Sequence, residues 1–181
     1  GAVSSGLSSN AAGTGRVSLT LAGAAMSSKD QSQVVRLGAT GCAATRWYSD
    51  TTLVGRVGSG AGGSKHAVVS VRVQAGTATG VASYNTPSIS ATLGSNMPTT
   101  GLAGVSVVGA GMGGAHSHSP VVRIGGSSAQ LSACGWVSDS GVVVAAAPAG
   151  VGGTRRVAAS VAGQAGSTTT ATSYDAPTVS S

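Results

Sequence analysis

Short runs of alternating apolar and polar residues recur along the whole chain. The segments Arg16-Val17-Ser18-Leu19-Thr20-Leu21 and Val69-Ser70-Val71-Arg72-Val73 alternate in this way. Successive side chains of a β-strand point to opposite faces, so a period of two predicts strands with one buried face. In the first half of the chain this predicts strands near 16–21, 33–37, 44–48, 52–57, 67–73 and 79–84. The glycine-rich segments 58–63 and 149–153 are predicted to be hairpin loops.

The whole pattern occurs twice. Residues 34–38 (VVRLG) return as 121–125 (VVRIG), 47–50 (WYSD) return as 136–139 (WVSD), and 83–87 (SYNTP) return as 173–177 (SYDAP). About seven short strands per copy, without any helix of length, predict an all-β fold of two tandem immunoglobulin-like β-sandwiches. We place the first sandwich in residues 1–87 and the second in residues 88–176. Residues 177–181 resemble the start of the second copy, and we interpret them as the overhanging first strand of a following repeat or as an inter-subunit contact.

One glycine motif suggests a different chemistry. Residues 105–116 (VSVVGAGMGGAH) contain Gly109-x-Gly111-x-x-Gly114 after a predicted strand, which is the fingerprint of a dinucleotide-binding turn. That fingerprint requires a helix beginning at the third glycine and an acidic residue about 20 positions further on. Here a Pro-terminated polar stretch and another β-rich run follow instead. The first copy also lacks the second glycine, so we interpret the motif as turn chemistry and expect no cofactor.

Composition and charge restrict the partners. Only 8% of residues are charged, whereas soluble domains carry about 25%. The net charge is +6, but apart from Arg155-Arg156 the basic residues are spread singly. Nucleic-acid sites usually cluster basic residues among stacking aromatics, so we expect no nucleic-acid partner and consider acidic polysaccharide more plausible. No apolar run approaches the roughly 20 residues that span a membrane, so we expect no membrane span in this segment.

The repeated motifs also resemble a known family. A glycine turn ending in Met, then W-x-S-D, a Gly-Gly pair and a terminal S-Y-[DN]-x-P resemble the IPT/TIG domain in that order. This is an immunoglobulin-like fold shared by plexins, some transcription factors and many extracellular repeat proteins. The resemblance covers essentially the whole chain as two tandem copies. It implies an extracellular or cell-surface protein without a catalytic role.

The cysteines depart from the pattern of that family. Extracellular members often carry one cysteine before the Trp and a second on the strand after the S-D turn. Cys42 fits the first position, but the second falls near Gly55, and Cys134 also lacks a local partner. Either the two thiols are free and buried, or Cys42 and Cys134 pair between domains or between chains.

The other candidate residues favour structure over catalysis. His116 and His118 have the only metal-like spacing, but two histidines without a nearby carboxylate or cysteine make a poor site, so we predict no metal. The chain has no Glu and only four Asp, which makes an acid–base pair hard to assemble. Asp50 and Asp139 are predicted to bond their own turn backbones. We interpret the repeated aromatic residues as core anchors: Trp47, Trp136, Tyr84 and Tyr174.

Function is predicted from this architecture. A thin core and a weakly charged surface favour assembly or dense glycosylation, and the candidate O-glycosylation sites are Pro98, Thr99, Thr100, Thr168, Thr169 and Thr170. We predict a non-enzymatic structural subunit of an extracellular fibre or surface coat whose partners are copies of itself, joined head to tail, and possible glycans. The alternative is an adhesion or receptor ectodomain that binds carbohydrate or protein through inter-strand loops such as 111–120. A third possibility is an accessory domain of a polysaccharide-active enzyme.

Overall fold

A computed structural model describes residues 3–6, 10–94, 96–114, 118–128 and 134–179. No helix occurs among them. The chain separates into two compact units, Gly1–Asn85 and Thr86–Ser181, hereafter unit 1 and unit 2. Each unit contains two sheets whose pairing is almost entirely antiparallel. The predicted all-β class, with two tandem immunoglobulin-like sandwiches, is confirmed.

Unit 1 is built from eight strands. Their bounds are β1 Val3–Gly6, β2 Ser18–Gly23, β3 Val34–Leu37, β4 Thr40–Gly41, β5 Ala44–Ser49, β6 Thr52–Arg56, β7 Lys65–Val71 and β8 Gln74–Ala82. One sheet has the order β1-β2-β6-β5 and the other has the order β4-β3-β7-β8. The parallel bridge between Ala11 and Tyr84 joins the N-terminal stretch to the end of β8.

Unit 2 repeats this arrangement with one more named strand. Its strands are β9 Ser88–Leu93, β10 Asn96–Met97, β11 Val105–Ala110, β12 Val121–Ile124, β13 Ser127–Ser128, β14 Cys134–Ser138, β15 Gly141–Val144, β16 Arg155–Val161 and β17 Gln164–Tyr174. The first sheet has the order β14-β15-β11-β9, and the second has the order β10-β17-β16-β12-β13. Strand β10 pairs in parallel with the end of β17, at the position where unit 1 has its single bridge.

The core of each unit consists mainly of aliphatic side chains, together with buried methionines and one tyrosine. In unit 1, Leu19 and Leu53 from one sheet lie in a single buried cluster with Val35 and Val69 from the other. These residues are the inward members of the alternating patterns, and the outward members are mostly Ser, Thr and Arg. Burying a Val or Leu side chain stabilises a fold by about 1.5–3 kcal/mol, so these residues contribute substantially to the stability of the unit.

The backbone conformations of the two units repeat position by position at the Gly-x-Gly turn. Gly111 and Gly113 have φ values of +74° and +95°. Up to residue 114, where the described segment ends, no helix begins. The aligned residues of unit 1 are Ala25 and Ser27, with φ values of +61° and +87°. The glycines therefore serve a left-handed turn, and unit 1 makes the same turn with residues that are strained in it.

Replacing Ala25 with glycine is expected to stabilise unit 1 by about 1 kcal/mol, because glycine adopts the left-handed conformation without the steric cost of a Cβ. The matched change Gly111→Ala is expected to destabilise unit 2 by a similar amount. Urea denaturation of both variants measures the difference. If Ala25→Gly is less stable than the unchanged chain, residue 25 does not adopt the left-handed conformation.

The structure corrects two loop predictions and the end of one predicted strand. The segments 58–63 and 149–153 are not hairpins: β6 and β7 lie in different sheets, as do β15 and β16, so both segments cross from one sheet to the other. The strand predicted over 67–73 ends at Val71, because Arg72 has a φ of +53° and Val73 is 100% exposed in the turn to β8. Alternation alone cannot distinguish a strand from a turn that continues its polarity pattern.

Candidate functional site

A tyrosine at the end of the last strand holds the crossing loop in each unit. Tyr84 is 1% exposed, and its hydroxyl donates to the Gly58 carbonyl at 3.0 Å. Its ring lies against Gly60, where an added Cβ would be 2.5 Å from Tyr84 Cζ. In unit 2, Tyr174 donates to the Pro148 carbonyl at 2.9 Å in the same way. The sequence motif S-Y-[DN]-x-P therefore marks a loop clamp as well as a core position.

Burial governs the ionisation of these phenols. Burial raises the pKa of Tyr84, and Cys42 contributes a smaller rise. Burial also raises the pKa of Tyr174, although the positive charge of Arg155 acts in the opposite direction. Because both phenols stay protonated at neutral pH, each can donate the hydrogen bond that fixes its loop.

In both units the W-x-S-D turn binds the glycine turn that contains Met, which is residues 23–28 in unit 1 and residues 109–114 in unit 2. We call this segment the Gly-x-Gly loop after its sequence in unit 2. The Trp47 indole donates to the Ser27 carbonyl at 3.2 Å, and the Trp136 indole donates to the Met112 carbonyl at 3.0 Å. Both indoles are half-buried on an edge strand, and Trp47 packs against the unit 1 core. The predicted role of the two tryptophans as core anchors stays a prediction.

The aspartate of this turn has a different partner from the one predicted. The Asp139 carboxylate accepts from the Gly113 amide at 3.1 Å, across to the Gly-x-Gly loop. The hydrogen bond within the turn is made by the serine, since the Ser138 hydroxyl accepts from the Ser140 amide at 3.2 Å. In unit 1 the Ser49 hydroxyl accepts from Thr51 in the same way. The prediction for Asp139 is wrong because the turn folds back towards a loop that is distant in sequence.

Both cysteines are free thiols in the structure. Cys42 packs against the core of unit 1, and burial raises the pKa of its thiol to about 11. A thiol with this pKa is protonated at neutral pH and is a poor nucleophile. The predicted pairing of Cys42 with Cys134 stays a prediction.

The other predicted site residues lie on the surface or outside the described part of the chain. Pro98, Thr99 and Thr100 are exposed before the Gly101 turn, and Thr169 is exposed on β17, where Thr168 is half-buried. The side chain of Thr170 is outside the described residues, and so is His116, while His118 is described and half-buried. Within the described residues no group of three or more metal-ligating side chains comes together.

One exposed aromatic residue escaped the sequence analysis. Tyr48 follows Trp47 on β5, at a bulge in the pairing with β6, and it is exposed between the half-buried Trp47 and Ser49. It is 53% exposed, and the Arg46 guanidinium carbon lies 5.0 Å from its ring centroid. The alternation around Trp47 was the signal that could have revealed it.

The surroundings of Tyr48 form an open sheet surface, which we name the Tyr48 face and define by Thr20, Arg46, Tyr48, Val54 and Arg56. Val54 pairs with Arg46 on one side and with Thr20 on the other, so these three residues form a row across three strands. The face offers an aromatic ring, two guanidinium groups and a hydroxyl. These groups can stack on a ligand and donate hydrogen bonds to it.

None of the described residues forms a helix of the length and apolarity that crossing a membrane requires.

A solved structure agrees with the observed fold at a TM-score above 0.5. No curated protein matched the sequence. A surface glycan-binding protein of Prevotella bryantii is similar in structure at a TM-score of 0.52 and 11% identity, over 85% of this chain and 35% of that chain. A surface glycan-binding protein of Bacteroides uniformis gives 0.41 and 14%, over 96% and 48%. The extracellular region of plexin A4 gives 0.46 and 13%, over 92% and 15%. The chain spans less than half the length of each of these proteins.

The family match is direct. The IPT/TIG domain family matches residues 2–86 and again residues 87–175, which together make up nearly the whole chain. The repeated Gly-Ala-[Ala/Gly]-Met, W-x-S-D and S-Y-[DN]-x-P segments contain the residues that join the loops of each sandwich. This chain belongs to the IPT/TIG domain family and carries two tandem copies of the domain.

Proposed function

We propose that this chain is a non-catalytic carbohydrate-binding module of an extracellular adhesion protein. The observation that carries the proposal is the exposed Tyr48 ring, which lies 5.0 Å from the Arg46 guanidinium on an open sheet surface. Tyrosine side chains are enriched at binding interfaces, because they combine a large apolar ring with a polar hydroxyl. The related fold of the Prevotella bryantii glycan-binding protein is compatible with this role.

The chemistry of the Tyr48 face suits a sugar ring. A pyranose has an apolar face of C–H groups that can pack on the exposed side of an aromatic ring, and its rim carries hydroxyls. The Arg46 and Arg56 guanidinium groups have several donors in fixed geometry and can bind those hydroxyls or an acidic substituent. Thr20 adds a donor and acceptor on β2, on the far side of β6 from Tyr48. The predicted loop 111–120 lies partly outside the described residues and carries no part of this proposal.

Glycan-array binding of the whole chain tests the proposed function. We expect Tyr48→Ala to lower affinity for the bound glycan by roughly 5- to 100-fold, taking as a guide the roughly 1–3 kcal/mol that alanine substitution costs where nucleic-acid bases stack on aromatic rings. Tyr48→Trp should retain binding. The matched control is Val137→Ala, which changes the equivalent exposed position of unit 2. The proposed function fails if no glycan binds, or if Tyr48→Ala binds as well as the control.

The predicted structural role is a second proposal, which one observation favours. Residues 177–179 (PTV) match 87–89 (PSI), where the edge strand β9 begins, and Val179 is 97% exposed. A following copy joined there would complete its own edge strand in the same way and extend an array. Electron microscopy of native material would show fibres with a repeat of one or two domain lengths, whereas dispersed particles at high concentration contradict this proposal.

Mass spectrometry of the same material tests the predicted O-glycosylation at residues 98–100 and 168–170.

A further inference from the structure

A groove in unit 2 is lined by three arginines. It has a volume of about 500 Å³, and its walls include Arg123, Arg155 and Arg156 together with Thr154 and the turn residues Gly125 and Gly126. No described residue that lines it is acidic. Three positive charges that share one groove without a carboxylate repel one another, and a bound anion would offset that repulsion.

The sheet itself brings the three side chains together. Arg123 on β12 pairs with Ala158 on β16, and Arg156 lies two residues before Ala158, so both exposed arginines project from the outer surface of the sheet. Arg155 lies beside Gly125, where an added Cβ would be 3.0 Å from its Cδ. The groove therefore has cationic side chains on both sides of the β12–β13 turn.

Neutral partners hold two of these guanidinium groups in place. Arg156 Nη2 donates to the Ser167 hydroxyl at 2.8 Å, and Arg155 Nη2 donates to the Val151 carbonyl. Neither partner removes positive charge, and each bond restricts a long side chain that would otherwise be mobile. A guanidinium oriented in this way has further N–H groups for bidentate binding of an anionic oxygen pair.

Unit 1 has an arginine and a lysine at two of these positions and a histidine at the third. Arg36 aligns with Arg123, and Lys65-His66 align with Arg155-Arg156. The Gly38 amide donates to the His66 carbonyl at 2.8 Å, as the Gly125 amide does to the Arg156 carbonyl. Five of the ten lysines and arginines of the chain occupy these six positions, so the arrangement belongs to the repeat and is not a chance grouping.

We propose that the Arg123–Arg155–Arg156 groove is a binding site for the sulfate or carboxylate groups of an acidic polysaccharide. This inference rests on the proposed carbohydrate-binding function and specifies its ligand class. A guanidinium group can donate two parallel hydrogen bonds to the planar oxygen pair of a carboxylate or to two of the oxygens of a sulfate. None of the described residues that line the groove is aromatic, which disfavours single-stranded nucleic acid because those sites stack bases on aromatic rings.

Binding of defined polymers to the whole chain tests the groove. The probes are dextran sulfate, polygalacturonate and unsubstituted dextran, with duplex DNA as a polyanion of another class, and affinity is measured against salt. We expect Arg123→Gln/Arg156→Gln to lower affinity for an acidic polysaccharide roughly tenfold or more, and its salt dependence should weaken. Arg36→Gln added to this pair should lower the affinity further. Whichever of the two acidic polymers binds more tightly identifies the preferred group.

The matched control is Arg16→Gln/Arg72→Gln, which removes the same charge from two exposed positions outside both clusters. The groove proposal is overturned if this control loses as much affinity as Arg123→Gln/Arg156→Gln, or if duplex DNA binds more tightly than the acidic polysaccharides. It is also overturned if acidic polymers bind no better than dextran. In that case Tyr48-dependent binding on the glycan array would leave the proposed function intact, whereas the absence of binding to every glycan would remove both.

Discussion

The variant Tyr84→Ala is expected to lose about 4 kcal/mol of the free energy of unfolding of unit 1. Removing a fully buried aromatic ring leaves a cavity and typically costs about 3–5 kcal/mol. The crossing loop would also lose its hydroxyl bond to Gly58 and the ring that packs against Gly60. Since small domains are stable by only about 5–15 kcal/mol, this change should remove much of the stability of the unit. Hydrogen exchange resolved by peptide measures it in residues 10–85.

Graded controls separate the ring from the hydroxyl. Tyr84→Phe keeps the ring and should cost about 1 kcal/mol, which is the usual net value of one hydrogen bond. Tyr174→Ala removes the equivalent ring, which is 6% exposed, and should affect the peptides of unit 2 in the same way. If Tyr84→Ala leaves the exchange rates of residues 10–85 unchanged, the loop clamp contributes little to the stability of unit 1.

The variant Gly55→Cys is expected to form a disulfide with Cys42 and to stabilise unit 1 by about 2 kcal/mol. An ideal Cβ at Gly55 lies 3.0 Å from Cys42 Sγ. In a disulfide the Cβ of one cysteine is about 3 Å from the sulfur of the other, as follows from an S–S bond of about 2.05 Å. Closing a loop of about 14 residues contributes roughly 3 kcal/mol, from which strain must be subtracted because the new Cβ would also lie 3.2 Å from Val35 Cγ1.

Calorimetry with and without reductant measures this effect in a single protein. We expect the oxidised form to melt about 10 °C higher, since 1 kcal/mol shifts the Tm of a domain of this size by roughly 4–8 °C. The reduced form is the internal control because it carries the same packing change at Val35. Gly55→Ala provides the packing change without a thiol. The variant Gly55→Cys/Cys134→Ser contains only the two sulfurs of the expected disulfide. If this variant is oxidised and then unfolded, and thiol titration still finds two reactive sulfurs, the predicted geometry is wrong.

The sequence predicts the strands well because their signal is local. Alternation in 16–21 marks the buried Leu19 and Leu21 directly, since neighbouring side chains of a strand must face opposite sides. The tandem repeat presents each motif twice. Because the first copy lacks the second glycine, Gly109-x-Gly111 could be interpreted as a turn. The observed φ values of Ala25 and Gly111 agree with that interpretation.

Partners that are distant in sequence account for what the sequence did not predict. The loop 58–63 was interpreted as a hairpin because glycines connect two strands, but pairing places those strands in different sheets. The contact of Gly60 with the Tyr84 ring and the bond of Asp139 to Gly113 also depend on loops that meet only in the folded unit. Spacing along the chain carries no information about such encounters.

The candidate sites divide in the same way. The sequence by itself determined the all-β class, the repeat and the family, because periodicity and ordered motifs are local properties of the chain. Only the tertiary structure showed that Arg123, Arg155 and Arg156 share one groove, since cross-strand register brings together residues that lie more than 30 positions apart. It also exposed Tyr48 beside Arg46, because the choice of which strand face is buried depends on the opposing sheet.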